Sequence, residues 1–362
     1  MAGRIMAYIL LPTPLHLLIL ALVGGLTVAC GSSDSSTPTA TLPPLVLPAD
    51  EAPHDFQTEW WYWNLHLQPS SVLRTGLPDD PRFFLHYAVF QVQEQESRRT
   101  LYVAQIGVAD AETGSFASAE RIVAQPQPLD TFAFTFGNWI MAAEAARGRY
   151  EIKGGAGEIT FDLRLQSAST PILHDGNGLV DFGASGISYY YSRPRLEVMG
   201  SVVVAGESFD VRGVAWLDKQ WGDFVPVTIS WDWTGIQLES GIDLMLTRVL
   251  GADGQPVAVY GTLGKGDQAS IRHLREEDFT FEPEPASIWV SPATGASYPT
   301  RWKVTIPEEE IDIILRPQVR ESEFVSNGLG VIYWEAGMHV EGTHEGLAFV
   351  ELTGRVPVYK GQ

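Results

Sequence analysis

The chain has 362 residues, 45% of them apolar and 19% charged, with 24 Lys and Arg against 44 Asp and Glu for a formal net charge of −20. So acidic a chain repels a phosphate backbone, which excludes nucleic acid as a partner, and the composition excludes collagen, coiled coils and multi-span membrane proteins. The 35 Gly and 23 Pro favour turns and strands over long helices, and the single Cys rules out an intramolecular disulfide or a Cys-based metal cluster.

Arg4 is the only charge before an apolar stretch from Ile5 to Ala29 that Pro12, Pro14 and His16 interrupt. Its unbroken part, Leu17–Val28, is too short for a stable spanning helix and reads as the apolar segment of a signal peptide over residues 1–29. The stretch ends Leu26-Thr27-Val28-Ala29-Cys30-Gly31, which resembles a bacterial lipobox with Cys30 as the lipidated residue and Thr27 where Leu is usual. The alternative is an ordinary secretory signal with a chance cysteine. Residues 30–50 are rich in Ser, Thr and Pro and lack aromatics, so they read as a flexible tether extending about 3 Å per residue. The expected location is the bacterial cell envelope, lipid-anchored on the outer side of the cytoplasmic membrane or in the outer membrane.

From Glu51 onward, short apolar or alternating runs recur between turn signals. They are Phe83–Val92, Thr100–Val108, Thr131–Phe136, Glu158–Leu165, Leu196–Val204, Phe209–Trp216, Val227–Leu238, Asp243–Leu250, Val257–Leu263, Arg301–Ile306, Ile311–Leu315, Gly330–Val340 and Leu347–Leu352. Runs of this length, rich in β-branched and aromatic residues, predict antiparallel sheets. Val204-Ala205-Gly206-Glu207 and Ala252-Asp253-Gly254-Gln255 read as hairpin turns. Helical periodicity is weak, and only Ala117–Ala124 and Ile271–Asp278 read as short helices. So many strands exceed one small barrel, and the chain reads as all-β, with two barrels or sandwiches in tandem.

All 11 Trp lie after residue 50, several of them clustered in Glu59-Trp60-Trp61-Tyr62-Trp63, Trp216-Leu217-Asp218-Lys219-Gln220-Trp221 and Trp231-Asp232-Trp233. Tyr189-Tyr190-Tyr191 and Tyr333-Trp334-Glu335 complete the set. Strand alternation points Trp61 and Trp63 one way and Trp60 and Tyr62 the other, and sets Asp232 opposite Trp231 and Trp233. Each ring taken alone reads as core filling. As a set with interleaved carboxylates, they suit a cavity for an elongated apolar ligand. Glu59, Asp232 and Glu335 each adjoin a Trp in sequence, and Asp218 lies between Trp216 and Trp221. A buried carboxyl holds its proton longer and can donate it; pairing with Arg or capping a turn is the alternative role.

The same residues carry a family resemblance. Glu59–Trp63, Phe84–Phe90, Leu101–Ile106, Ser188–Pro194, Ala215–Gly222, Trp231–Trp233, Leu244–Arg248, Tyr298–Trp302, Tyr333–Glu335 and Glu351–Gly354 resemble, in order, the AttH-type lipocalin-like family, related to carotenoid hydratases of the CrtC type. The resemblance implies two tandem lipocalin-like antiparallel β-barrel domains, residues 51–224 and 225–362, split near Phe224. The chain departs from the family pattern at Gln105, where relatives have His, and at Lys219-Gln220, where they have His followed by Glu or Asn. It also has Leu246 and Arg248 near the positions where carotenoid hydratases carry a Tyr and an acid. A proton donor, if one is used, must therefore be another carboxyl.

Other site types are poorly represented. His339 and His344 lie five apart across a turn without a third nearby His or Cys, and no nucleophile elbow, phosphate loop or His-Glu-x-x-His pattern occurs. No cofactor and no metal are implied. The expected protein is thus a membrane-anchored binder of an apolar small molecule or lipid (isoprenoid, lipid or polyketide) at the domain junction. Its expected ligand-contacting residues are Glu59, Trp60, Trp61, Tyr62, Gln105, Tyr190, Lys219, Gln220, Trp221, Trp231, Asp232, Trp233 and Arg248. The alternative is a hydratase or cyclisation-type enzyme with Asp218 or Glu335 as general acid. Family association also allows a component of an ABC-type export system.

Overall fold

The computed structural model describes residues 42–70, 76–93, 99–124, 131–182, 186–223, 230–251, 254–267, 270–326 and 328–355. The expected signal peptide, Cys30, most of the tether, the Phe224 boundary and the Ala252-Asp253 part of a predicted turn lie outside these residues. The last part of the expected tether is not free: Leu45 and Leu47 pack against Tyr189, Tyr191 and Trp221, and a 3-10 turn over Ala49–Glu51 carries the buried Glu51. Two leucines among the prolines supply the apolar surface that a solvated tether lacks.

The first sheet contains β1 (Thr58–Pro69), β2 (Phe83–Gln93), β3 (Thr100–Asp110), β4 (Ser115–Val123), β5 (Ala133–Phe136), β6 (Trp139–Glu144), β7 (Arg149–Ala156), β8 (Ile159–Ser167), β9 (Ile172–Leu173), β10 (Leu179–Asp181), β11 (Ile187–Val204) and β12 (Glu207–Gly222). The second contains β13 (Ser230–Leu238), β14 (Asp243–Leu250), β15 (Pro256–Gly264), β16 (Arg272–Arg275) and β17 (Thr280–Pro283). A small hairpin of β18 (Ile288–Val290) and β19 (Ser297–Pro299) follows, and the second sheet resumes with β20 (Trp302–Ile306), β21 (Ile311–Pro317), β22 (Glu323–Val325), β23 (Ile332–Gly342) and β24 (Gly346–Thr353). The main path of the first sheet is β4-β3-β2-β1-β12-β11-β8-β7-β6-β5, with β9 and β10 on β11; that of the second is β16-β15-β14-β13-β24-β23-β21-β20-β17, with β22 on β23. All pairings are antiparallel. Each sheet curls strongly into a barrel or half-barrel, the all-β lipocalin-like architecture expected. At the seam of the first, Arg121 of β4 donates to the Phe136 carbonyl of β5 and lies 4.3 Å over the Trp139 ring.

Both barrels are filled by their own side chains. In the first, Trp61, Trp63, Leu65 and Leu67 of β1 meet Phe83, Leu85, Tyr87 and Val89 of β2. In the second, Ile236, Leu246, Trp302, Ile313 and Trp334 form the equivalent core. Trp63 and Trp302 are fully buried, and truncating either to Ala would cost about 3–5 kcal/mol. Outer strands follow plain alternation: in β8, Ile159, Phe161, Leu163 and Leu165 point inward while Thr160, Asp162, Arg164 and Gln166 are exposed. Strands β1, β12, β13 and β24 differ, being buried on both faces over most of their length. Their outer faces form a third layer between the barrels, with Tyr62, Trp216, Trp233 and Phe349 joined by Phe84 of β2, Tyr190 of β11 and Met245 of β14.

The two predicted helices are absent. Residues 117–123 belong to β4, where Ala117 and Ala119 pack on the first core, and residues 272–278 form β16 and a 3-10 turn. Alanine-rich composition yields to an available sheet edge, since tertiary packing overrides propensity. The Val204–Glu207 turn forms as predicted, with positive φ at Ala205 and Gly206, the geometry of a tight hairpin.

Close approach of the barrels depends on Gly337 of β23. A Cβ there would lie 2.1 Å from Phe84 Cδ1 and 3.0 Å from Phe84 Cβ. We expect Gly337→Ala to destabilise the fold by about 1–3 kcal/mol through overpacking, read by chemical denaturation. Phe84→Ala in the same chain should recover part of that loss; simple additivity of the two substitutions would contradict this contact.

Candidate functional site

A cleft opens in the layer between the barrels. From the first barrel it is lined by Trp60, Tyr62, Phe90, Phe182, Tyr190, Asp218 and Gln220, and from the second by Trp231, Trp233, Thr247, Val249, Tyr260 and Glu351. It holds about 730 Å³ of space not filled by atoms, part of it open to solvent. The lining follows from register: Trp60 and Tyr62 of β1 lie opposite Gln220 and Asp218 of β12, and Trp233 of β13 lies opposite Thr247 of β14 and Glu351 of β24. Rings form most of the wall, which suits a flat or elongated apolar ligand.

Asp218 is the polar centre of one wall. Its Oδ2 accepts from the Tyr190 hydroxyl at 2.5 Å, and its Oδ1 accepts from Ser192 Oγ at 2.5 Å and Trp216 Nε1 at 2.6 Å. Trp233 Nε1 donates to the Tyr190 hydroxyl at 3.1 Å, coupling the barrels. Burial pushes the Asp218 carboxyl up to about 6, although its three hydrogen bonds act in the opposite direction. Behind it, His174 is fully buried and burial pushes its imidazole down to about 3.

Glu351 faces Asp218 from the second barrel. It accepts from Trp231 Nε1 at 3.0 Å, and desolvation, with the Asp218 charge adding to it, pushes its carboxyl up to about 7. Glu335 lies directly across from Glu351 in the β23–β24 ladder. It accepts from the Tyr62 hydroxyl at 2.5 Å and lies 3.3 Å from His86 Nδ1; desolvation first, then Glu351, holds it well above the usual carboxylate range. Glu335 therefore stands one residue behind the lining, with Tyr62 between it and the cleft. His86 is seated over Gly107 of β3, where a Cβ would lie 2.2 Å from its ring, and burial keeps it neutral. No group of three or more His, Cys, Asp or Glu among the described residues is placed to hold a metal ion.

Of the residues singled out from the sequence, Trp60, Tyr62, Tyr190, Asp218, Gln220, Trp231 and Trp233 line the cleft. The others do not. Trp61 points into the first barrel, as its alternation with Trp60 requires. Lys219 and Glu59 share that face and form a fully buried ion pair, with the ammonium 3.9 Å from the Trp61 ring and 4.6 Å from the Trp221 ring. Desolvation pushes Lys219 down to about 8. Trp221 is stacked between His54 and Tyr189. Asp232 pairs with Arg355 on the face of β13 turned away from the cleft, and Arg248 bonds Glu282 and the Phe281 carbonyl, so Arg248, Lys219 and Asp218 form no common cluster. Gln105 lies beside the layer, accepting from Tyr333 at 3.1 Å and donating to Glu120 at 2.8 Å.

The sequence reading missed Glu351, Tyr260, Thr247, Val249, Phe182 and Phe90 as lining residues. Glu351 lies within a stretch recognised for its resemblance, but it adjoins no Trp in sequence. Its neighbour Trp231 arrives from another strand.

The Lys219–Glu59 pair faces the first barrel and the cleft lies on the other face of the sheet. Glu59→Gln strands a buried ammonium and should cost about 3–5 kcal/mol in denaturation. Uptake of a fluorescent apolar probe by the folded variant should match that of the unaltered protein; a loss of uptake would tie the pair to the cleft.

Residues 38–355 match the profile of the AttH-like family. Dehydratase asqC of Emericella nidulans is 26% identical over 177 residues, 47% of this chain and 49% of that protein. Kievitone hydratase of Fusarium solani subsp. phaseoli is 26% identical over 153 residues, 41% and 42% of the two chains. The chain thus spans about half the length of the curated relatives it matches. Among solved structures, a protein designated AttH from Nitrosomonas europaea has a TM-score of 0.76 at 26% identity, over 89% of this chain and 100% of that one. Kievitone hydratase from Nectria haematococca shares the fold, with a TM-score of 0.68 at 16% identity over 89% and 96% of the two chains. With both curled sheets inside the matched segment, the chain belongs to the AttH-like family.

Proposed function

We propose that the protein is an acid–base catalyst of the hydratase or dehydratase kind, acting on an apolar molecule held in the cleft between its barrels. The observation that carries this reading is the pair Asp218 and Glu351, two carboxyls pushed up to about 6 and about 7 on facing walls of one ring-lined cleft. Carboxyls in that range exchange protons near neutral pH, as a general acid and base must. The relatives named as a dehydratase and a hydratase support the same class of chemistry.

In hydration, the protonated acid gives its proton to one carbon of a double bond and positive charge develops on the other. The faces of Trp231 and Trp233 stabilise that charge. A water attacks the cationic carbon and loses a proton to the second carboxylate, so one proton is given and one is taken, and exchange with solvent restores both groups. Dehydration is the reverse. Asp218, hydrogen-bonded to the cleft-lining Tyr190, is assigned as the acid, and Glu351 as the base.

A second reading, binding without turnover, draws on the ring-dominated lining. Native extraction and mass spectrometry of the co-purifying molecule separate the two. On the catalytic reading, that molecule gains or loses one water during incubation. Asp218→Asn and Glu351→Gln should each lower kcat by about 10²-fold or more while leaving binding intact. The acid works only when protonated and the base only when ionised; with Asp218 titrating below Glu351 that pair is a minor form most populated between the two values, and the rate should follow a bell in pH with limbs near 6 and 7. A molecule returned unchanged, with both variants binding as before, would favour the binding reading.

We also propose that Cys30 carries a lipid anchor, which would hold the cleft near a bilayer where apolar molecules concentrate. Cys30→Ser should then release the protein from the membrane fraction, and retention of the variant would count against the anchor.

A further inference from the structure

A fully buried chain of hydrogen bonds reaches Asp218 from the second barrel. Thr262 Oγ1 of β15 lies 3.0 Å from His174 Nδ1, His174 Nε2 lies 2.8 Å from Ser192 Oγ, and Ser192 Oγ lies 2.5 Å from Asp218 Oδ1. Thr262, His174 and Ser192 have no exposed surface. The direction of this chain follows from the hydrogens available. An ionised carboxylate only accepts, so Ser192 donates to Oδ1 and must itself accept from His174. His174 is neutral in its desolvated site, so its single N–H is on Nε2, and Nδ1 accepts from Thr262.

Trp216 Nε1, which can only donate, makes a second hydrogen bond to Oδ1. That oxygen is thereby held as an acceptor by two donors. Oδ2 has the Tyr190 hydroxyl as its partner, and a hydroxyl can turn from donor to acceptor.

We propose that Thr262, His174 and Ser192, together with Trp216, steer the Asp218 proton onto Oδ2, where it faces Tyr190 and the cleft. This rests on the acid–base reading above and assigns Ser192 and His174 as positioning residues. When Asp218 is protonated on Oδ2, it donates to the Tyr190 oxygen, which already accepts from Trp233, and the Tyr190 hydrogen turns into the cleft. Transfer then moves that hydrogen to the ligand as a proton while the Asp218 proton passes to the Tyr190 oxygen. Asp218 is left as the carboxylate and Tyr190 is again neutral. The titratable groups around the site are Tyr190 on β11, Tyr260 on β15 and Glu351 on β24, with His273 and Asp175 near His174.

Nitrogen-15 NMR of the purified full chain tests the direction without any substrate. The His174 ring should show the Nε2–H tautomer alone between about pH 5 and about pH 8. The Nδ1–H tautomer, or titration of His174 near the ordinary histidine value, overturns the proposal. Carbon-13 NMR of the Asp218 carboxyl adds a second readout. Ser192→Ala removes a donor to the ionised form and should raise the Asp218 midpoint by about one pH unit. Because Asp218 titrates below Glu351, the limb of the bell near 6 should move up with it, at lowered kcat and little changed KM, and Ser192→Thr should restore both. An Asp218 midpoint unmoved by Ser192→Ala also overturns the proposal. Because the tautomer is read on the unaltered protein, that test survives a variant that does not fold. The expected tautomer and shifted midpoint, in a protein with no turnover of its co-purified molecule, would support the proton placement and refute the catalytic reading.

Discussion

Everything in the middle of this molecule is shaped by strands that have no solvent side. Strands β1, β12, β13 and β24 turn one face to a barrel core and the other to the opposite barrel. A polar group on either face has left water and must find a partner or stay neutral. Burial acts with opposite sign on acids and bases. It lifts Asp218 and Glu351 toward neutrality and pushes His66, His86 and His174 down to about 3. The consequences for stability oppose each other. A histidine whose native pKa is depressed contributes stability above its unfolded value near 6.5 that is lost as the pH falls toward 3. A carboxyl whose native pKa is raised contributes stability at low pH that is lost as the pH rises through 6 or 7.

Two chemical kinds recur among the buried and half-buried carboxylates. Glu59 has Lys219 as its partner, and Glu51 has Arg193 with the Tyr150 hydroxyl at 3.0 Å. The Glu51–Arg193 pair holds the chain before β1 against β11, and the Glu59–Lys219 pair joins β1 to β12. Asp218, Glu335 and Glu351 instead receive hydrogen bonds from neutral groups: tyrosines, a serine and indoles. A neutral donor supports a carboxylate less than a cation does, so desolvation prevails. A cation does not by itself reverse that outcome: Asp243 is paired with Arg195 at 2.9 Å, and burial still pushes its carboxyl up to about 6.

The filled barrels also shift attention away from the lumen, where a lipocalin-like fold ordinarily suggests a ligand. Large rings occupy the interior of both barrels. The open space lies where two outer faces meet, and the indole of Trp233 reaches across it to Tyr190. A site of this kind draws its groups from both halves of the chain, so its geometry depends on how closely Gly337 lets the halves approach.

Much of this was legible in one dimension. Period-two alternation, turn residues such as Ala205-Gly206 and the spaced aromatic motifs determine an all-β chain, because strand periodicity and turn chemistry are local. The same alternation also separates Trp60 from Trp61 and Asp232 from Trp233. It shows which residues share a face and leaves open what that face will meet. Lys219 and Asp218 lie on neighbouring positions of one strand, yet one is paired inside the first barrel and the other faces the second. Glu351 joins the cleft because β24 pairs with β13 more than a hundred residues away. Those outcomes belong to the packing of one curled sheet on another, which sets the dielectric and the partners of each acid, and with them its chemistry.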